Sequence, residues 1–188
     1  MARHESDFYE TPATAAHEVL IEVLAGLPEG ARMLDVGAGS GNLTRFALAL
    51  RHDLQVDALE LDPRHREVLV AAGAKNVIIA DFLTWEPEGQ YPDYHLIISN
   101  PPFSLAQEFV TRIWELARRS RRMAKIAVLA RLGFLAGQKR RAWWRSLPEP
   151  KLRILSRRPS FTGHGADSTD YAWLLWATGG PDIAWYQG

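Results

Sequence analysis

The segment Asn100-Pro101-Pro102-Phe103 contains the residue types that could hold a planar amine as a nucleophile. The two prolines fix φ and remove backbone donors, so the turn presents Asn100 in one geometry. The amide oxygen of Asn100 and the carbonyl oxygen of Pro101 can both accept hydrogen bonds, which would localise the nitrogen lone pair. Phe103 can stack on the ring that carries the amine. The alternative interpretation is a structural turn before a helix, without chemistry.

A glycine cluster, Asp35-Val36-Gly37-Ala38-Gly39-Ser40-Gly41, follows an apolar segment and precedes a helical one. Glycines allow a tight turn and a close approach of the backbone to a ligand, and a helix N-terminus offers N–H donors. The spacing excludes a dinucleotide fingerprint, because the sixth position counted from Gly37 is Asn42. No Gly-Lys-Ser/Thr follows, which also excludes a phosphate P-loop.

Acidic residues follow the next two predicted strands, Glu60 after the second and Asp81 after the third. The carboxyl ends of parallel strands line one crevice in an α/β sheet. Glu60 could accept both hydroxyls of a ribose, Asp81 could accept an exocyclic amine, and the neighbouring Phe82 could flank an adenine ring. The glycines and acids together predict a nucleoside site. A tight turn with helix caps would explain the glycines but not the acids.

The elements that would position these residues alternate between helical and strand-like patterns, which predicts a parallel sheet covered on both faces. The predicted strands are 32–36, 54–60, 75–80, 94–99, 125–130, 152–156 and 171–176. The predicted helices are 12–26, 42–51, one that starts at Asp62-Pro63 and ends at Gly73, 105–119, and a basic helix near 138–147.

The composition excludes several kinds of protein. The 188 residues are 47% hydrophobic and 23% charged, which is typical of one compact domain and too apolar for a disordered chain. The absence of cysteine excludes a disulfide scaffold, thiolate catalysis and Cys-ligated zinc, and no cluster of metal ligands is evident. Residues 1–10 lack the apolar segment of a secretory signal, and the aliphatic runs are too short to cross a bilayer. We expect a soluble, cytoplasmic protein without a metal.

The formal net charge of zero is the average of two unlike regions. Residues 112–158 contain 15 Lys or Arg and two acids, for a net charge of +13, and the remainder of the chain balances it. Such asymmetry favours a polyanion partner, although solvated Arg-rich helices would give the same count. Basic residues around Trp143-Trp144 and in the following segment suit phosphates and exposed bases. The predicted nucleic-acid-binding residues are Lys139, Arg140, Arg141, Arg145, Arg157 and Arg158.

From about Phe8 to Trp176 the sequence resembles the class I S-adenosylmethionine-dependent methyltransferases. The resemblance implies an α/β fold with a Rossmann-like, seven-stranded, mostly parallel sheet, an antiparallel last strand and helices on both faces. It implies S-adenosylmethionine as the cofactor, with Asp35 at its amino end, Glu60 at the ribose and Asp81 at the adenine amine. The residues that it assigns to the cofactor are Tyr9, Thr11, Pro12, Asp35, Gly37, Gly39, Gly41, Glu60, Leu61, Asp81, Phe82 and Asn100.

Two short segments carry the likeness further. Asn100-Pro101-Pro102-Phe103 resembles the catalytic motif of enzymes that methylate adenine N6, cytosine N4, some guanine amines or a protein glutamine, and the final Phe favours adenine over cytosine. Residues 7–12 resemble the Tyr-x-Thr-Pro segment of gamma-ordered DNA adenine methyltransferases, which lies over the methionine end of the cofactor. Plain packing and a helix cap at Thr11 form the alternative.

The function that the resemblance implies is methyl transfer to an exocyclic amine, with adenine N6 in DNA as the first expectation. An RNA amine, a protein glutamine and a non-catalytic cofactor-binding module are the alternatives. Residues 134–140 and 156–163 resemble small phage and prophage DNA methyltransferases. We expect a single domain over residues 1–188, in which residues 1–30 form a helix and cofactor-covering segment, without a separate target-recognition domain. The segment 159–170, with His164, is expected to be a mobile loop that could close over a flipped base.

Overall fold

A computed structural model describes residues 10–88, 92–120, 123–161 and 167–178. Tyr9 and His164 lie outside the described residues. The seven strands form one sheet in the order β3-β2-β1-β4-β5-β7-β6. They are β1 Arg32–Val36, β2 Gln55–Glu60, β3 Asn76–Ile79, β4 Leu96–Ser99, β5 Lys125–Arg131, β6 Lys151–Ile154 and β7 Tyr171–Ala177. Strand β7 is antiparallel to both of its neighbours, and every other pairing is parallel. The predicted fold class is confirmed, and each strand end lies within two residues of its predicted position.

The helices are α1 Ala13–Leu24, α2 Asn42–Leu50, α3 Arg66–Ala71, α4 Ala106–Arg119 and α5 Arg141–Trp144. In the described ranges, 3₁₀ turns accompany them at Pro63–His65, Phe103–Leu105, Leu132–Leu135 and Gln138–Arg140. The predicted basic helix near 138–147 is therefore shorter than expected. The amide and hydroxyl of Ser146 both donate to the carbonyl oxygen of Trp143, which closes a tight turn and ends the helix. Within the described ranges, no helix has both the length and the apolar content needed to cross a membrane.

The two faces of the sheet bury separate apolar cores, as the period of two along a strand requires. Met33 on β1 packs into the core that contains α1 and α2, whereas its neighbour Leu34 packs into the core that contains α4. The central strands are buried on both faces, which explains their continuous apolar sequence. The structure is thus a three-layered α/β arrangement.

Helix α1 is fixed to the sheet by Trp173 of β7. The Trp173 side chain is fully buried, and its Nε1 donates to the carbonyl oxygen of Ala15 at 2.6 Å. This contact fixes the start of α1 and therefore also the segment that precedes the helix, which contains Thr11.

We expect Trp173→Phe to lower the free energy of unfolding by about 1–3 kcal/mol, because it removes a buried hydrogen bond and leaves space in the core. Denaturant titration measures the change. Ile154→Ala is the control, since Ile154 is 62% exposed on β6 and its loss should change stability by less than about 0.5 kcal/mol. Equal stability of the two variants would contradict the anchoring role of Trp173.

Candidate active site

The carboxyl ends of three parallel strands meet at one edge of the sheet. Val36 at the end of β1 pairs with Leu59 of β2 and with Ser99 of β4. The residues that come next in each segment, Gly37, Glu60 and Asn100, are therefore neighbours in space. This edge brings together the predicted cofactor loop and the predicted catalytic motif.

The glycine loop crosses this edge with three glycines in the left-handed region, Gly37, Gly39 and Gly41. The amide of Gly37 donates to the carbonyl oxygen of Leu59 at 2.9 Å, which ties the loop to β2. A Cβ atom at Gly41 would lie 2.9 Å from the Cβ of Ala72, so this position requires glycine for close packing as well as for its φ of 78°. The loop is thus tied to β2 and packed closely against Ala72.

Asp35 lies buried beneath the loop, and its two carboxylate oxygens differ in their hydrogen bonds. Its Oδ2 accepts hydrogen bonds from the amide and the hydroxyl of Thr44, at 3.1 and 2.8 Å. Within the described part of the chain, its Oδ1 is buried and has no hydrogen-bond partner. Burial raises the pKa of Asp35 to about 7. A cationic donor such as an ammonium group would satisfy Oδ1 and favour the ionised carboxylate, so this residue fits the amino end of S-adenosylmethionine.

Glu60 is also buried, and backbone amides hold it rigidly. Its Oε2 accepts from the amide of Gly39 at 2.8 Å, and its Oε1 accepts from the amide of Asp62 at 2.9 Å. Each carboxylate oxygen has a second lone pair, so the fixed carboxylate can still accept from the hydroxyls of a ribose. Leu61 beside it is 42% exposed and adds an apolar surface.

The turn after β3 presents Asp81 but not Phe82. Asp81 is exposed, and its Oδ1 accepts from the amide of Leu83 at 3.0 Å. The side chain of Phe82 does not lie where it could flank an adenine ring, contrary to what the sequence predicted. It is only 3% exposed because its ring packs into the core, with its centroid 5.1 Å from that of Phe109. The exposed apolar side chain at this edge is Leu61.

Arg112 holds the same turn in place from α4. One of its terminal nitrogens donates to the carbonyl oxygen of Trp85 and to Glu86, both at 2.6 Å. The other donates to Glu115 at 2.9 Å. Arg112 belongs to the basic region of the sequence, yet it is buried and engaged within the protein. Sequence reasoning missed this role, because the contact joins segments that are remote along the chain.

Thr11 connects the predicted catalytic motif to the helix that follows the predicted cofactor loop. Its Oγ1 accepts from Asn100 Nδ2 at 2.9 Å, and its carbonyl oxygen accepts from Asn42 Nδ2 at 3.1 Å. The hydroxyl of Thr11 therefore does not cap α1, where Pro12 occupies the N-cap position without a side-chain hydrogen bond. The contact also orients the amide of Asn100, with Nδ2 towards Thr11 and Oδ1 away from it.

Phe103 follows Pro101 and Pro102, which are both buried, and belongs to an aromatic cluster. Its ring centroid lies 5.3 Å from that of Tyr171 and 6.1 Å from that of Phe161. The guanidinium carbon of Arg131 lies 4.6 Å from the centroid of the Phe103 ring. Arg131 directly follows the predicted strand 125–130, and this position in the sequence already indicates the carboxyl edge of the sheet.

The predicted nucleic-acid-binding residues separate into two groups. Lys139, Arg141, Arg145 and Arg157 are exposed. Arg140 is not similarly available, because it donates to the carbonyl oxygens of Gly133, Phe134 and Ala136 and thereby holds a turn. Arg158 is exposed as well, and it forms an ion pair with Asp170 at 2.8 Å.

The two neighbouring tryptophans, Trp143 and Trp144, both pack against Phe134 and are both half-buried. Both rings are therefore partly withdrawn from solvent. Trp143 Nε1 donates to Thr111 on α4 at 2.9 Å. Trp144, together with Arg141 and Arg145, lines a cavity of about 700 Å³.

Comparisons with known proteins identify a family and a fold. Residues 6–125 match the methyltransferase small domain. Over 93 residues the chain is 38% identical to the tRNA1(Val) (adenine(37)-N6)-methyltransferase of Cronobacter sakazakii. That match covers 45% of this chain and only 38% of the relative's own length.

Two solved structures share the fold. A proposed RNA methyltransferase from Pyrococcus horikoshii is 22% identical, with 89% of this chain and 83% of that chain covered and a TM-score of 0.62. The precorrin-6y C5,15-methyltransferase of Geobacter metallireducens is 18% identical, with 94% and 92% covered and a TM-score of 0.62. At these identities the likeness concerns the fold alone.

We expect binding of S-adenosylmethionine to release a proton from Asp35 below neutral pH. Burial raises the pKa of Asp35 to about 7, and an ammonium group beside Oδ1 would lower this pKa. The affinity should therefore rise with pH up to about 7 and then level off. Calorimetry in buffers of different ionisation enthalpy measures the released proton.

Two controls test the assignment to Asp35. Methylthioadenosine, which lacks the amino-acid part, should bind without proton release. The Asp35→Asn variant should bind S-adenosylmethionine more weakly and without the pH dependence. An affinity that changes with pH equally in this variant and in the wild-type protein would exclude Asp35 as the titrating group.

Proposed function

The chain belongs to the methyltransferase small domain family, and we propose that it transfers a methyl group to the N6 amine of an adenine in a nucleic acid. Its cofactor is S-adenosylmethionine. The observation that carries the proposal is the hydrogen bond from Asn100 to Thr11, which fixes the amide beside the cofactor loop with Oδ1 turned away. An amide oxygen held in this way suits an amine that must be oriented before it reacts.

The residues described above would hold the cofactor along the carboxyl edge. Asp35 would accept from its ammonium group, Glu60 from its ribose hydroxyls and Asp81 from its adenine amine. When bound, S-adenosylmethionine supplies an electrophilic methyl group on a sulfonium sulfur. The negative and neutral acceptors at this edge suit a cationic ligand, since a carboxylate stabilises nearby positive charge.

On the acceptor side, Asn100 Oδ1 and the carbonyl oxygen of Pro101 would accept the two N6 hydrogens. These hydrogen bonds hold the amine plane fixed and keep the nitrogen lone pair localised. Phe103 would contact the ring that bears the amine. The contribution of these residues is orientation, which can lower a barrier by several kcal/mol without a covalent intermediate on the protein.

RNA and DNA are the two candidate substrates for methyl transfer, and a different observation supports each. RNA is supported by the Cronobacter sakazakii relative, which is named for a tRNA adenine, and we take RNA as the first acceptor to test. DNA, the first expectation from the sequence, is supported by the likeness of residues 7–12 to DNA adenine methyltransferases. An adenine in a duplex would have to be flipped out at a cost of a few kcal/mol, and an unpaired adenine would avoid most of it.

The experiment that tests the function is transfer of a tritiated methyl group to RNA, DNA and protein from cell extracts. We expect label in nucleic acid, and digestion to nucleosides should yield N6-methyladenosine or its deoxy counterpart. Label in protein alone would refute the proposal and support the glutamine alternative. Cofactor binding without label in any fraction would support a non-catalytic module.

Asn100→Ala should lower kcat by at least about 100-fold, because it removes an acceptor aimed at the reacting amine. The affinity for S-adenosylmethionine, measured by calorimetry, should change little. Asn76→Ala is the matched control, since Asn76 starts β3 at the opposite edge of the sheet and should leave transfer intact. Full activity of Asn100→Ala would remove this residue from the mechanism.

Thr11→Val should lower kcat by about tenfold, because the side chain keeps its volume but loses the oxygen that accepts from Asn100. The reasoning concerns orientation, so the KM for nucleic acid should change less than kcat. Thr11→Ser retains the hydroxyl and should restore most of the rate. Equal rates for the Val and Ser variants would show that the hydrogen bond does not position Asn100.

A further inference from the structure

Arg131 lies beside the catalytic motif and has no role in the function proposed above. It is the last residue of β5, and β5 continues past the end of β4, whose Ser99 pairs with Val128. Its guanidinium group lies over the Phe103 ring, with 4.6 Å from the central carbon to the ring centroid. A cation is thus held at the edge where the acceptor must enter.

Neighbouring aromatic residues fix this position. Nε of Arg131 donates to the hydroxyl oxygen of Tyr171 at 3.3 Å, and the two residues are paired across β5 and β7. The hydroxyl of Tyr171 donates to Asp167 at 2.5 Å, and this bond holds the pKa of Asp167 below its usual range. Phe161 packs edge-on against Tyr171, at 5.0 Å between ring centroids. Asp167 thus contacts the hydroxyl that accepts from Arg131, and its carboxylate also interacts electrostatically with Arg131.

We propose that Arg131 is the binding site for a phosphate of the acceptor nucleotide, an inference that rests on the function proposed above. A guanidinium group presents its N–H donors as a planar fork that matches two phosphate oxygens. The base of the same nucleotide would lie at Asn100 and Phe103, and its phosphate remains covalently attached a short distance away. Arg131 itself contacts the catalytic motif through Phe103.

The stacking of Arg131 on Phe103 also affects which ligands the site should prefer. The guanidinium covers a face of the ring on which the acceptor base would stack, so the base and the cation compete for that face. A base that displaces Arg131 costs the protein a cation–π contact. A phosphate on the same nucleotide compensates for that loss by pairing with the displaced guanidinium. The arrangement therefore favours a nucleotide within a strand over a free base or nucleoside.

The exposed basic residues Lys139, Arg141 and Arg145 differ from Arg131 in this respect. They lie beyond the turn that follows β5, and they can attract a polyanion without contacting the catalytic motif. Their effect should spread over many phosphates of a strand and fall with salt. A site at Arg131 should instead bind one particular phosphate, so neutralising that single phosphate should weaken binding.

The test combines a protein change with a ligand change. The probe is a fluorescein-labelled oligouridylate that contains one adenosine, made either with phosphodiester linkages throughout or with an uncharged methylphosphonate linkage on one side of the adenosine or on the other. Binding is measured by fluorescence anisotropy with S-adenosylhomocysteine present. Transfer of label to each probe is measured in parallel.

For the wild-type protein, we expect one of the two methylphosphonate probes to bind about tenfold more weakly than the phosphodiester probe, the size of a lost charge-assisted hydrogen bond. Arg131→Met should weaken binding of the phosphodiester probe by a similar factor and should no longer distinguish the probes. Arg131→Lys should keep part of the discrimination, because the charge remains but the fork is lost. Equal discrimination by Arg131→Met and the wild-type protein would overturn the proposal.

Arg118→Met is the matched control. Arg118 also lies over an aromatic ring, at 5.3 Å from Trp114, but it lies near the end of α4 that leads to the amino end of β5. This variant should bind all three probes as the wild-type protein does. Unchanged affinity for S-adenosylhomocysteine and an unchanged unfolding midpoint in Arg131→Met would exclude a general loss of structure.

The two proposals can fail separately. Discrimination that depends on Arg131, without transfer to adenine, would retain the phosphate site and refute the proposed function. Transfer to adenine with no discrimination between the probes by the wild-type protein would refute the phosphate site and retain the function.

Discussion

The register that pairs Val36 with both Leu59 and Ser99 is the constraint on which the rest of the site depends. It brings the ends of β1, β2 and β4 to one line, so the glycine loop, Glu60 and the Asn100 motif become neighbours although they are far apart in the chain. A shift by one residue would turn Met33 and Leu34 towards the wrong cores. The same apolar packing that stabilises the sheet therefore fixes the geometry of the candidate active site.

The acidic and basic residues of the molecule differ in how far they are available to ligands. Buried acceptors at Asp35 and Glu60 form the proposed cofactor side, where burial raises the pKa of Asp35 and a cationic ligand would favour its ionised form. Several residues of the basic region are engaged within the protein and therefore contribute less to a polyanion surface than their number indicates. They include Arg112 with Glu86 and Glu115, Lys151 and Arg153 with Glu22, and Arg158 with Asp170.

The sequence predicted the strands and the positions of Asp35, Glu60 and Asn100, because each lies at or beside the end of an apolar run and such ends meet at one edge of a parallel sheet. It did not predict the inward packing of Phe82 or the turn-holding role of Arg140. Both depend on contacts with particular partners, Phe109 for the first and nearby carbonyl oxygens for the second. Composition and spacing do not show which side chains will meet such partners in the folded protein.

Thr11 shows how the two halves of the site are joined. Its hydroxyl accepts from Asn100 and its carbonyl oxygen accepts from Asn42, so one residue contacts both the catalytic motif and the helix that follows the glycine loop. Helix α1 begins two residues after Thr11, and Trp173 fixes the start of this helix. This contact limits how far Thr11 can move. A displacement of the cofactor loop would therefore be transmitted to the Asn100 amide through two hydrogen bonds. Because the proposed reaction depends on the orientation of an amine relative to the cofactor, this short connection matters more to the rate than the number of groups that contact either ligand.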